Sequence, residues 1–188
     1  MSFTFADVVV SQSEIQPDAT AITFGERNVT WRALHERSNQ LAMVLQERGV
    51  KMGDRVGLLM KNTPEFHEGL FACNKIGAVA VGLNFRLSSL ELFAIIDDAQ
   101  PKVVIADQEH SRTLDRLTSR HVPEHVITLG TAYEDELANI SSDSNPVSGE
   151  PNDPMLILYS SGTTGRAKGI TLSNKNFSYI EPMATALY

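Results

Sequence analysis

The chain has 188 residues, 42% hydrophobic and 21% charged, with a formal net charge of -7. That balance supplies enough apolar side chain for a core and excludes a disordered or fibrous class. Its acidic excess, 23 Asp and Glu against 16 Lys and Arg, argues against nucleic acid or an anionic membrane surface as the main partner, because both are gripped by clustered cations.

In chain order, Phe5 to Ile15 reads as a short amphipathic helix closed by Pro17. Ala21 to Phe24 and Asn28 to Trp31 are β-rich runs flanking Gly25-Glu26-Arg27, a hairpin signal. Thr30 is a predicted N-cap. After it Trp31, Leu34, Ser38, Leu41 and Leu45 recur at spacings of three and four, on one helical face, with Trp31 as a core anchor. Gly49 suits the left-handed position past the helix end. Arg55 to Met60 is an apolar strand. Thr63-Pro64 opens a helix to about Ile76, ended by Gly77. On it Cys73, the sole cysteine, reads as a small buried hydrophobe that permits no internal disulfide.

Ala78 to Leu83 is a strand, and Ser88-Ser89-Leu90-Glu91 is a capping box opening a helix to about Ala99. Pro101 blocks its continuation, and Lys102 to Ala106 is again a strand. A polar helix is predicted around Ser111 to Thr118, then a strand from Val126 to Leu129. Asp97-Asp98 reads as a solvated helix end and Glu134-Asp135-Glu136 as a solvated helical face. Residues 141–153 are rich in Ser, Pro, Asn and Asp and read as an exposed linker. Short apolar strands alternating with helices predict an α/β fold, doubly wound around a largely parallel sheet. No signal peptide is expected from Met1 to Gln12 and no segment approaches a membrane span, so a cytoplasmic setting is expected.

Met155 to Tyr159 is an apolar strand running straight into Ser160-Ser161-Gly162-Thr163-Thr164-Gly165-Arg166-Ala167-Lys168-Gly169. Ile170 to Leu172 follows as a strand, with Ser173 or Asn174 capping a helix through Phe177. Ligands of open α/β folds bind where strands end. Glycines let backbone N–H groups converge, the hydroxyls of Ser160, Ser161, Thr163 and Thr164 add donors, and Lys168 adds a mobile charge, with Arg166 as a second. That set suits a polyphosphate. The P-loop pattern G-x-x-x-x-G-K-[ST] fails here, because Ala167 stands at its second glycine and Gly169 at its Ser/Thr. His121 and His125 stand four apart, but Pro123 between them argues against a helical zinc pair, and no metal site is assigned.

Tyr159 to Gly169 resembles the phosphate-binding signature of the adenylate-forming superfamily, which includes acyl-CoA synthetases. Val29-Thr30-Trp31-Arg32-Ala33-Leu34, Gly49 to Val56, Asn62-Thr63-Pro64-Glu65-Phe66 and Lys75-Ile76-Gly77-Ala78-Val79 resemble further stretches of it. The resemblance covers the chain from about Thr20 onward. Gly82 to Leu87 resembles the "P-x-N-x-R-L" of acyl-CoA synthetases, with Gly82 in place of the proline; carrier-loading adenylation domains differ there. Two departures are Ala167, where the family has proline, and Asn174, where a histidine is frequent.

The resemblance implies the start of an acid–CoA ligase that uses ATP, Mg2+ and CoA on a fatty or aromatic carboxylic acid. It implies that Ser160, Ser161, Gly162, Thr163, Thr164, Gly165 and Lys168 hold ATP phosphates, with Thr164 and Lys168 catalytic, and that Arg86 helps hold a CoA phosphate. It further implies that most of the acyl pocket and a C-terminal portion of the same enzyme lie beyond these residues, so that the 188-residue chain alone is inactive. Loading of a carrier protein and a non-catalytic nucleotide-binding module are the alternatives. The oligomeric state is left open, a homo-oligomer included.

Overall fold

The computed structural model describes residues 4–116, 120–143, 149–160 and 167–178. Helix α1 (Phe5–Ile15) starts where the Thr4 N–H donates to the Asp7 carboxylate at 2.6 Å. Strands β1 (Thr20–Phe24) and β2 (Arg27–Thr30) pair antiparallel as a small separate sheet. The Thr30 hydroxyl then accepts from the Ala33 N–H at 3.2 Å and opens α2 (Trp31–Glu47), which buries Leu34, Ser38, Leu41 and Leu45 as the spacing predicts. Trp31 sits at the edge of a small core of Val9, Val29, Leu34 and Phe71, partly rather than fully buried.

The main sheet is built from β3 (Arg55–Leu59), β4 (Val79–Gly82), β5 (Val103–Ala106), β6 (His125–Thr128), β7 (Pro154–Ser160) and β8 (Lys168–Ser173). Its order is β6-β5-β3-β4-β7-β8. Every neighbouring pair is parallel except β7 and β8. Helix α3 (Pro64–Lys75) joins β3 to β4, and α4 (Ser89–Ala99) crosses from β4 back to β5. The two lie on opposite faces. Leu41, Leu45, Val56, Leu58 and Ile105 form the core under α2 and α3. Leu59, Val81, Leu92, Ile96 and Val104 form the core under α4. The winding reverses between those crossovers, as expected for a doubly wound α/β fold.

Turns follow their local chemistry. Gly49 and Gly77 end α2 and α3 at φ +75° and +67°, where a side chain would be strained. The Ser88 N–H donates to the Glu91 carboxylate at 3.0 Å, closing the predicted capping box. The helix expected around Ser111 to Thr118 begins earlier and spans Gln108–Leu114 (α5); Leu117 and Thr118 lie outside the described residues. Its cap is Asp107, whose carboxylate accepts from the His110 N–H at 2.9 Å and starts the helix earlier.

Helix α6 (Thr131–Ala138) returns to the α2/α3 side, and here the sequence reading is corrected. Glu134 and Glu136 are not simply solvated: they pair with Arg37 of α2 and with Arg48 just past its end. Arg37 also grips the fully buried Glu68 of α3 through Nε at 2.6 Å, and the Tyr133 hydroxyl donates to Glu68 at 2.8 Å. The flanks of the predicted linker are held. Asn39 donates to the Ser142 carbonyl at 2.9 Å, and the Lys175 N–H donates to the Pro151 carbonyl at 2.7 Å. Among the described residues no helix is long and apolar enough to cross a membrane.

Candidate functional site

Strand β7 runs parallel to β4, so Ser160 stands at the sheet edge where the parallel strands end. Lys168 opens β8 as the cross-strand partner of Ser160. The two residues that bracket the predicted phosphate loop therefore face each other across an antiparallel pair, at the edge where open α/β folds bind ligands. Ser161, Gly162, Thr163, Thr164, Gly165 and Arg166 lie outside the described residues. Ser160 and Lys168 are both exposed, and no carboxylate among the described residues pairs with Lys168.

The rung below explains the glycine after the lysine. A Cβ on Gly169 would stand 3.2 Å from the ring of its partner Tyr159 and 3.2 Å from Ile157. Its absence lets the Tyr159 ring lie against β8 while the hydroxyl donates to Asp98 at the end of α4. Burial, then the hydrogen bond and charge of Asp98, push the phenol pKa up, so Tyr159 remains a donor at neutral pH. This brace was missed in the sequence, where Asp97-Asp98 reads as a solvated helix end. Asp97 is engaged as well, accepting from the His121 N–H at 2.8 Å. A tyrosine immediately before the loop, on the same strand face as Ile157, was the available signal.

Between α4 and strands β4 and β7 lies a cleft of about 1060 Å³, whose walls include Asn84, Glu91, Asp98, Arg120 and Tyr159. Ser160 and Ala167 line it too, so both described roots of the loop stand in its wall. Arg86 lies in the connection after β4, exposed, with its guanidinium 5.3 Å from the centre of the Phe85 ring. Its neighbours Asn84 and Leu87 face the cleft, while Arg86 is not among the cleft's walls. His121 sits in the loop before β6, its Nε2 2.8 Å from the Pro101 carbonyl, and His125 begins that strand.

Two buried polar clusters lie on the other face. Asn174, at the start of α7 (Asn174–Ser178), is 2% exposed. Its Oδ1 accepts from the Phe5 N–H at 3.0 Å and from Asn74 Nδ2 at 2.8 Å, and its Nδ2 donates to the Glu150 carbonyl at 3.1 Å. In this chain the residue after the motif therefore ties α1, α3 and the incoming segment together. Lys75 is also 2% exposed. Its Nζ donates to Asn39 Oδ1 at 2.5 Å, Ser38 Oγ at 2.7 Å and the His35 carbonyl at 3.0 Å. With no carboxylate among these partners, burial pushes the ammonium pKa down to about 7. Burial and the charge of Lys75 push His35 down to about 4. On the same helix, burial pushes the Cys73 thiol up to about 12, an inert core cysteine.

Comparison with known proteins gives this geometry relatives. Residues 9–186 match the AMP-binding family, described as AMP-binding enzyme. A feruloyl-CoA synthase of Amycolatopsis sp is 36% identical over 170 residues, covering 90% of this chain and 33% of its own length. The fatty acid–[acyl-carrier-protein] ligase ScoC of Streptomyces coeruleorubidus is 30% identical over 175 residues, 93% of this chain and 34% of its own. Among solved structures, the anthranilate CoA ligase AuaEII in complex with anthranoyl-AMP superposes with a TM-score of 0.87 at 27% identity. That match covers 95% of this chain and 35% of AuaEII. The chain thus spans about a third of the length of the relatives it matches.

Proposed function

The chain belongs to the AMP-binding enzyme family, and from that premise we propose that it is the phosphate-gripping part of an ATP-dependent acid–CoA ligase. The substrate class is a fatty or aromatic carboxylic acid. One observation carries the reading: Ser160 and Lys168 share a rung where the parallel strands end, and the Gly- and Thr-rich stretch of sequence lies between them.

In the proposed reaction a carboxylate oxygen attacks the α-phosphorus of ATP, and pyrophosphate leaves. The acyl-adenylate carbonyl is then attacked by the thiol sulfur of CoA, and AMP leaves. The assigned role of this chain is electrostatic and positional. Lys168 neutralises charge on the departing phosphates. Ser160, Ser161, Thr163 and Thr164, with the amides of Gly162 and Gly165, donate to their oxygens. Arg86 meets a phosphate of CoA. Magnesium, entering with ATP, would supply further positive charge against the phosphates. The setting assigned is the cytoplasm, where ATP and CoA are supplied.

The test is ATP–pyrophosphate exchange by the enzyme carrying this segment, over a panel of carboxylic acids. Lys168→Ala or Thr164→Ala is expected to slow exchange by ~10²–10³, the scale for losing one preorganised donor. Unchanged exchange in both would remove the assigned roles. Adding CoA or a carrier protein then separates two acceptors. The second is a live reading because ScoC, by its name, transfers to acyl carrier protein; thioester formed only on the carrier would select it.

A further inference from the structure

We propose that Asp98, at the end of α4, is a positioning residue for the nucleotide. Through its hydrogen bond with Tyr159 it sets the rung of Ser160 and Lys168 from which the proposed phosphate grip extends. This rests on the ligase reading above and adds to it a residue that lies outside the motif.

Tyr159 and Gly169 form the rung next to that of Ser160 and Lys168. Whatever fixes the Tyr159 side chain therefore fixes the backbone one residue away from both. The ring is held from two sides. A Cβ on Gly169 would stand 3.2 Å from its Cζ and 3.4 Å from its hydroxyl oxygen, so the ring lies directly over the glycine. On the other side the hydroxyl donates to Asp98 Oδ2.

Asp98 in turn stands on a fixed platform. Ile95 and Ile96 bury the last turns of α4 against the sheet. Arg55 of β3 donates through Nε to the Ala99 carbonyl at 2.8 Å and through Nη2 to the Gln100 carbonyl at 3.2 Å. Gln100 closes the helix at φ +49°, its N–H donating to the Ile96 carbonyl at 2.9 Å. Asp97 accepts from the His121 N–H at 2.8 Å. The residues on both sides of Asp98 are thus tied to β3 and to the loop before β6.

Asp98 is exposed and Tyr159 half-buried. A hydrogen bond that replaces one to water at such a place adds little to folding. Its consequence is orientation: the ring, and β7 with it, is held where donors must meet phosphate oxygens closely. Asp98, Tyr159 and Ser160 also share the wall of one cleft. A negative charge in that wall repels a polyphosphate, so the role requires the acceptor oxygen of Asp98 and not its charge.

The experiment compares Tyr159→Phe, Asp98→Ala, Asp98→Asn and the double variant Tyr159→Phe/Asp98→Ala. In the 188-residue chain without nucleotide, amide hydrogen exchange at residues 158–160 and 168–170 is expected to be faster in Tyr159→Phe and Asp98→Ala and near wild type in Asp98→Asn. In the enzyme carrying this segment, the same two variants should lower kcat/KM for ATP in pyrophosphate exchange about tenfold, with the KM for the carboxylic acid unchanged. The double variant should lose no more than Tyr159→Phe alone, and Asp98→Asn, which keeps an acceptor, should recover most of the rate. Wild-type exchange in Tyr159→Phe or Asp98→Ala, additive losses in the double variant, or Asp98→Asn as slow as Asp98→Ala would each overturn the proposal. The ligase reading fails separately: if the unmutated enzyme performs no pyrophosphate exchange, that reading falls, and the amide comparison still decides whether Asp98 sets the rung.

Discussion

The two faces of the sheet handle polar groups in opposite ways. Under α2, α3 and α6, polar side chains are buried and paired: Glu68 with Arg37 and Tyr133, Asn74 with Asn174, Lys75 with Asn39 and Ser38. Around α4, α5 and the paired strands β7 and β8, Arg86, Arg112, Arg116 and Lys168 are exposed, and no carboxylate among the described residues pairs with them. One face spends its polar chemistry on holding the chain; the other leaves charge available to a ligand. Mutations on the first face should therefore move stability, and mutations on the second should move binding.

The largest expected effect is at Arg37. Arg37→Met leaves the fully buried Glu68 without its cation and is expected to cost about 3–5 kcal/mol, read from urea unfolding. Glu134→Ala removes only the half-exposed partner of the same arginine and should cost no more than about 1 kcal/mol. Equal losses would show that the burial of Glu68 is not what makes the network matter. Next comes Asn174→Ala, which strands the Phe5 N–H and the Asn74 amide. About 1–3 kcal/mol of destabilisation is expected, measured the same way.

A smaller, pH-dependent effect belongs to Lys75. Its pKa falls from 10.5 to about 7 on folding, so between those values the unfolded chain holds a proton that the folded chain lacks. Its contribution to stability therefore rises with pH across that window, and the burial penalty is full and flat below pH 7. His35, lowered from 6.5 to about 4, adds the same sign at lower pH. Lys75→Met should flatten the rise in urea midpoint between pH 7 and 9. An unchanged slope would place the titrating group elsewhere.

These contrasts also mark what the sequence made legible. Caps and turns act within a few residues, so Phe5–Ile15, the Thr30 and Ser88 caps and the Gly49 and Gly77 stops were readable. The alternation of apolar strands and helices carried the doubly wound sheet. Strand direction is not written in hydrophobicity, so the antiparallel return of β8 was not foreseen. Long-range pairing was invisible for the same reason: Arg37 and Glu134 are 97 positions apart, and Tyr159 and Asp98 are 61 apart. At the site, the proposed phosphate grip rests on the hydroxyls, glycines and lysine of the sequence, whereas the Tyr159 brace beside them appeared only with the fold.

The most direct test is an amide-resolved titration of the chain with Mg·ATP up to millimolar concentration, beside Lys168→Ala. The account predicts shifts concentrated on residues 160–169, binding at least about tenfold weaker in the variant, and an unfolding free energy within about 0.5 kcal/mol of wild type. ATP that leaves those amides unmoved, or that binds Lys168→Ala as tightly as the original chain, would contradict it.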